Sequence, residues 1–174
     1  HTSGIRSYPT LQFLSGIPFE NITGNERISD LIFRQKELNF NPGDEFLYNN
    51  SGYFLLAEIV RRISGQSLGE FADKNIFNPL GMKSTFFYEN RKQVVKNRAV
   101  AYMKKDSATF EREHYFEAIV AGPGGLHTTV EDFLKWDENF YKETVGGKEF
   151  YVTMHTKGIL NSGDTLDYAF GLFR

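Results

Sequence analysis

The sequence predicts a mainly α fold with a little β, an α+β chain in which helices dominate. Three observations carry that reading. Tyr53, Leu56, Val60 and Ile63 recur at three- and four-residue steps, the period of one helix face. Val130, Phe133, Trp136 and Phe140 repeat the pattern near the other end. Strand signals are few: residues 99–103 and 109–112, flanking Asp106-Ser107, read as a small hairpin, and the tail at 168–173 as strand-like.

The first 25 residues are turn-rich, with Ser3-Gly4, Ser15-Gly16, Pro18 and Thr23-Gly24 breaking up short apolar pieces. Ile28, Leu31 and Ile32 predict a helix running to about residue 37. Asn41-Pro42-Gly43-Asp44 is a strong turn signal. The clearest helix spans about 51–64, with Glu58, Arg61 and Arg62 off its apolar stripe and Gly65 suited to its C-terminal cap. Ser67-Leu68-Gly69-Glu70 is a capping box that opens a second helix to about residue 77, which Pro79 should end. Between 82 and 116 helical periodicity fades. Gly122-Pro123-Gly124-Gly125 reads as a loop, after which Thr128 or Thr129 caps a helix whose stripe includes one polar member, Asp137. A short helix at 148–155 and a strand-like tail at 168–173 complete the chain. No repeat, low-complexity tract or linker interrupts residues 1–174, so one domain is expected.

Composition narrows the function classes. With 40% hydrophobic and 24% charged residues, the chain has the balance of a globular domain. A formal net charge of −2 gives no footprint for nucleic acid. There is no Cys, so disulfides, thiolate nucleophiles and Cys-based metal sites are excluded. Seventeen Phe and nine Tyr are many for this length and point to a bulky core or to apolar surface that meets something else. The chain opens at His1-Thr2-Ser3-Gly4 without an initiator Met and is expected to be a piece of a longer protein.

Tyr48-Asn49-Asn50 is the pattern most suggestive of chemistry: a tyrosine and an asparagine two residues apart, between a Pro-Gly turn and an amphipathic helix. A rigid element there would hold both side chains. The pattern is cheap, however, and occurs twice. Tyr88-Glu89-Asn90 lies in an irregular, charged stretch and is read as a chance copy.

The ordered motifs resemble the serine β-lactamase and penicillin-binding-protein superfamily, on the class C side. His1-Thr2-Ser3-Gly4-Ile5 resembles its segment downstream of the nucleophile helix. Asn41-Pro42-Gly43 with Tyr48 to Tyr53 resembles its Tyr-x-Asn signature. Pro79-Leu80-Gly81-Met82, and Gly124-Gly125-Leu126 with Thr128, Asp132 and Trp136, resemble two later blocks. The resemblance implies the helical lobe of that fold, without the nucleophile helix and most of the antiparallel sheet. It implies amide or ester hydrolysis through a serine acyl-enzyme in the parent protein. Tyr48 would act in proton transfer and Asn50 in binding a small-molecule amide or ester substrate, with no cofactor, metal or nucleic acid. An exported or periplasmic parent is the family's common setting.

The departures bound that expectation. The superfamily also uses Ser-x-x-Lys and Lys-Thr-Gly or a His-x-Gly variant. No serine here has Lys three residues on, Ser3 coming closest with Arg6, and His155 is followed by Thr156-Lys157-Gly158, one residue out of register. A free tyrosine titrates near 10, and lowering that to about 7 needs roughly 4 kcal/mol of differential stabilisation. The cations that would supply it belong to the missing motifs, so no acyl-enzyme is expected from this chain alone. A non-catalytic interaction or sensor domain that kept the fold is the alternative, and a helical domain that merely mimics the motif is a third. A lobe parted from its sheet should self-associate or be less stable than a normal domain: burying even about 600 Å² would contribute roughly 15 kcal/mol before entropic costs.

Other patterns are structural by default. Tyr48 as a satisfied core tyrosine, with Asn50 or Ser51 as a helix cap, is the plain reading of the motif without its neighbours. His1, His114, His127 and His155 lack metal spacing. The 122–125 loop lacks the Lys-Ser/Thr of a phosphate cradle, and no Gly-x-Ser-x-Gly elbow occurs. Asn21-Ile22-Thr23 and Asn49-Asn50-Ser51 fit the short glycosylation pattern.

Overall fold

A computed structural model describes residues 1–18, 24–90, 92–112 and 120–174. The Asn21 to Thr23 pattern and His114 lie outside the described residues. The described elements run α1 (Tyr8–Leu14), α2 (Gly24–Phe33), α3 (Asn50–Ser64), α4 (Leu68–Ala72), a π-helical turn (Asp73–Phe77) and α5 (Asn78–Leu80). Next come β1 (Phe86–Phe87), β2 (Tyr102–Lys104), β3 (Phe110–Arg112), β4 (Leu126–His127), α6 (Val130–Lys142) and α7 (Gly147–His155).

The fold is mainly α with a little β, as the sequence predicts, and the described residues form two small antiparallel ribbons. In one, β1 pairs with β4, placing Phe86 opposite His127. In the other, β2 pairs with β3, the expected hairpin, with Tyr102 opposite Arg112. Two apolar clusters hold the helices. Tyr8, Ile28, Ile32, Phe54 and Val120 join α1, α2 and α3. Ala72, Phe77 and Met82 form the second, against which Ile76, Phe87 and Trp136 pack.

Several predicted ends hold for their stated reasons. Gly65 caps α3 in the left-handed conformation at φ 71°. Ser67 and Glu70 form the reciprocal capping box. Thr129, rather than Thr128, caps α6 by accepting from the Asp132 N–H.

Others are corrected. The turn-rich start contains α1, because burial of Tyr8 and Leu11 outweighs weak local signals. The second helix does not stop at Pro79. A π turn widens the ladder, so that Asn78 N–H reaches the Asp73 carbonyl, and the proline falls in the first turn of α5, where a missing N–H costs little. The tail forms one isolated bridge, Tyr168 with Phe173, rather than a strand.

The helix stripes depart most. On α6 the buried residues are Asp132 and Asn139, whereas Asp137 and Phe133 are exposed and Val130 is 77% exposed. Asp132 is buried because it is fully partnered. It accepts from Ser84 N–H at 2.6 Å, Thr85 Oγ1 at 3.0 Å and Lys135 Nζ at 2.7 Å. Lys135 also donates to the Gly81 carbonyl at 2.6 Å, tying the 81–85 turn to α6. On α3, Phe54 and Ser51 are buried, whereas Leu56 and Ile59 are exposed and Ile63 is 82% exposed. Of the predicted apolar stripe, Leu56 and Ile63 are exposed, whereas Tyr53 and Val60 are partly buried.

Candidate functional site

The Tyr48 turn is built by pairing two distant segments. Residues 1–5 run beside 39–49: Asn39 N–H donates to the Gly4 carbonyl, Gly43 N–H to Thr2 and Leu47 N–H to His1, at 2.8, 2.8 and 3.0 Å. The approach is so close that a Cβ on Gly4 would stand 2.0 Å from the Phe40 carbonyl oxygen, and φ there is +70°. The next residues lock onto the start of α3. Buried Ser51 accepts from Tyr8 N–H and donates to the Arg6 carbonyl, both at 2.8 Å. Buried Asn49 caps α3 by accepting from Gly52 N–H at 3.1 Å, and its amide donates to the Ile5 carbonyl.

The turn thus alternates. Asn49 and Ser51 face inward and are spent on structure, so the N-cap is Asn49, not Asn50 or Ser51. Tyr48 is 52% exposed and Asn50 partly exposed, and neither side chain hydrogen-bonds to a described residue. A phenol and a carboxamide are therefore held on a hydrogen-bonded turn, with their polar groups unpartnered among the described residues.

Aromatic rings surround this point. His1 lies 4.4 Å from the Tyr48 ring, 5.4 Å from Tyr53 and 4.6 Å from Tyr168, centroid to centroid. Burial pushes the Tyr168 phenol well above its usual range, and its hydrogen bond with Tyr53 and the nearby Tyr53 and Tyr48 push it further. Tyr168 therefore stays protonated as a neutral wall. Beside it opens a groove of ≈ 600 Å³ walled by both ends of the described chain, His1 to Ser3 with Leu166 and Tyr168 to Phe170, and by Leu55, Leu56 and Ile59 of α3. Asn49 lines it, but Tyr48 and Asn50 do not.

The Gly122 to Gly125 loop lies on the same helix. A Cβ on Gly122 would come within 2.6 Å of the Tyr53 carbonyl oxygen and 3.0 Å of Ala57 Cβ, so only glycine permits this contact. His127, rather than reaching Tyr48, stacks on Phe86 at 5.4 Å. His155 packs on Tyr151 at 4.3 Å and on Phe140.

Around Tyr48 the serines are engaged with backbone. Ser3 accepts from Ile5 N–H and Ser7 from Asn50 N–H, and Ser51 is buried. Among the described residues, no lysine is paired with any of them. The arrangement offers an exposed phenol and a partly exposed carboxamide, and among the described residues no serine beside them is paired with a lysine. Sequence reasoning missed His1 and Tyr168 as parts of this site. Their aromatic character is visible in the sequence, but their distance from Tyr48 along the chain hides the contact.

The chain matches the family model described as Beta-lactamase over residues 1–174. It is 28% identical over 183 residues to penicillin-binding protein 4* of Bacillus subtilis, covering 98% of this chain and 40% of that protein. It is 27% identical to the D-aminopeptidase of Gluconobacter oxydans, covering 99% of this chain and 32% of that one. Among solved structures, a penicillin-binding protein from Bacillus halodurans superposes with a TM-score of 0.77 at 22% identity, over 91% of this chain and 49% of that chain. The octameric penicillin-binding protein homologue from Pyrococcus abyssi gives 0.73 at 28% identity, over 91% and 37%. The chain therefore spans about a third to two-fifths of the length of these curated relatives.

Proposed function

The chain belongs to the β-lactamase family, and on that premise we propose that it forms, as one domain, the helical wall of a serine hydrolase site cleaving amide bonds. In this reading Tyr48 relays a proton to and from the reacting serine, and Asn50 orients the substrate amide. Serine and its activating lysine come from outside this chain, which is inactive alone. The observation that carries the reading is the alternation at the turn: Asn49 and Ser51 are buried and bonded, while Tyr48 and Asn50 keep their polar groups free. Relatives named as a D-aminopeptidase and a D-amino acid amidase favour an amide substrate over an ester.

The test has two parts. Incubated with a fluorescent penicillin, the 174-residue chain should take up no heat-sensitive label; labelling of the native chain would refute inactivity. A longer protein containing the chain should hydrolyse a D-amino-acid amide faster than the matching ester, and Tyr48→Phe should abolish most of that activity. Unchanged turnover in Tyr48→Phe would sink the assignment.

We further propose that the uncovered apolar surface, Leu56, Ile59 and Ile63 on α3 together with Val130 and Phe133 on α6, makes the chain self-associate. The octameric Pyrococcus abyssi homologue is a precedent within the fold. Sedimentation over a hundredfold concentration range should show mass rising with concentration, and a constant monomer mass would overturn this.

A further inference from the structure

Three contacts converge on the turn that carries Tyr48, and all come from His1. Its carbonyl accepts the Leu47 N–H at 3.0 Å. Its Nδ1 accepts the Asn49 N–H at 3.1 Å. Its ring lies against the Tyr48 ring with 4.4 Å between centroids and 37° between planes. The two donors are the N–H groups of the residues on either side of Tyr48. His1 thus grips the backbone before and after Tyr48 and backs its side chain.

We propose that His1 is the positioning residue of Tyr48, a clasp that fixes where the phenol oxygen points; the inference rests on the reading of Tyr48 as the proton-transfer group.

The hydrogen bond itself separates holding from reacting. A ring nitrogen that accepts an N–H carries no proton, so the His1 proton is on Nε2. That Nε2 is buried and has no partner among the described residues. The rings of Tyr53 and Tyr168 pack near the imidazole, and Phe46 meets it edge-on at 5.8 Å. A second proton would have to enter at Nδ1 and would break the bond from Asn49. While its Nδ1 holds the Asn49 N–H, His1 serves as a fixed support. The Asn49 side chain does not duplicate the clasp, since it bonds to Gly52 within α3 and to the Ile5 carbonyl, not to the backbone beside Tyr48.

The clasp is testable on the 174-residue chain. Nitrogen-15 NMR should show His1 as the neutral Nε2–H tautomer, with coupling across the bond from the Asn49 N–H. In His1→Phe, which keeps a ring and loses the acceptor, amide exchange at Asn49 should quicken by on the order of tenfold. The Leu47 amide, bonded to the backbone of residue 1, and the Phe54 amide within α3 should keep their protection. His1→Asn sets an acceptor oxygen where Nδ1 stands and should restore Asn49. A proton on Nδ1, or equal Asn49 exchange in His1→Phe and the native chain, overturns the clasp. If His1→Phe loses Phe54 protection as well, it has unfolded, and the tautomer and His1→Asn then decide.

In a longer protein containing the chain, His1→Phe should lower kcat roughly tenfold with KM within about twofold, and His1→Asn should recover it. Native turnover by His1→Phe would overturn the positioning role. Native turnover by Tyr48→Phe, with the exchange results intact, would instead remove the catalytic reading and leave the clasp standing.

Discussion

The same three-residue pattern occurs at Tyr48-Asn49-Asn50 and at Tyr88-Glu89-Asn90, and the two copies are used in opposite ways. At the second, every side chain is committed. Tyr88 is 7% exposed, its hydroxyl reaches the Gln93 carbonyl at 3.5 Å, and Arg98 lies over its ring at 4.9 Å. Glu89 accepts from Ser67 Oγ and Gly69 N–H at the start of α4, and Asn90 accepts from Lys92 N–H at 2.9 Å. At the first copy the Tyr48 ring packs on His1, but only the middle residue has its side-chain polar atoms bonded among the described residues. The difference teaches that a motif is recognised less by its letters than by which of its polar atoms the fold leaves unspent.

The comparison can be broken or sharpened by substitution. The largest effect should separate the two tyrosines by activity. In a longer protein containing the chain, Tyr48→Phe should cut kcat by about 10²–10⁴-fold, the usual worth of a proton-transfer group, and Tyr88→Phe should leave it within about twofold. Equal losses would mean that the two copies do not differ in function.

Next comes the scaffold behind the second copy. Asp132→Ala removes the acceptor for Ser84, Thr85 and Lys135 and should cost roughly 3–5 kcal/mol in denaturant unfolding, loosening the 81–88 region before the Tyr48 turn. The same carboxylate predicts a pH effect. Burial alone would raise its pKa, but the hydrogen bonds from Lys135, the Ser84 amide and the Thr85 hydroxyl, with the charge of Lys135, outweigh that and hold it below the usual carboxylate range. Its stabilising contribution is thus complete above the unfolded value near 3.9. It is lost as pH falls through the lower folded value. Acid titration of stability should show this component in the native chain and lack it in Asp132→Asn.

Smaller is the loss at the first copy from Ser51→Ala, about 1–3 kcal/mol, because the Tyr8 N–H and the Arg6 carbonyl each lose a buried partner. Thermal unfolding should report it. The smallest is Glu89→Ala, on the exposed start of α4, at about 0.5–1 kcal/mol. A larger loss there than at Ser51 would reverse the ranking of the two regions.

What is legible in the sequence is what neighbouring residues decide. The Ser67 and Glu70 box, Gly65 and the 99–112 hairpin are local agreements between side chain and backbone. The α6 stripe misleads because polarity there does not mean exposure. Asp132 is buried on account of partners 47 and 48 residues away, and Phe133 is left outside. Pro79 misleads because its missing N–H matters only in an α ladder, and the π turn changes the ladder. The Tyr48 motif is visible from its turn and helix, but the role of His1 is not, since its bond to Asn49 spans 48 positions.

That span has a kinetic meaning. Helix α3 can begin from its own Asn49 cap, and the 99–112 hairpin from a short reversal. The bonds that join His1, Arg6 and Tyr8 to residues 49–51 must each first close a loop of more than 40 residues, an entropic cost met before any contact repays it. The Tyr48 turn should then be among the late structures to form on refolding and early to open on partial unfolding. Pulse-labelling of amides during refolding should find Asn49 protected after the centre of α3. The segment read as one wall of the active site would thus be assembled last, on a helix that was already there.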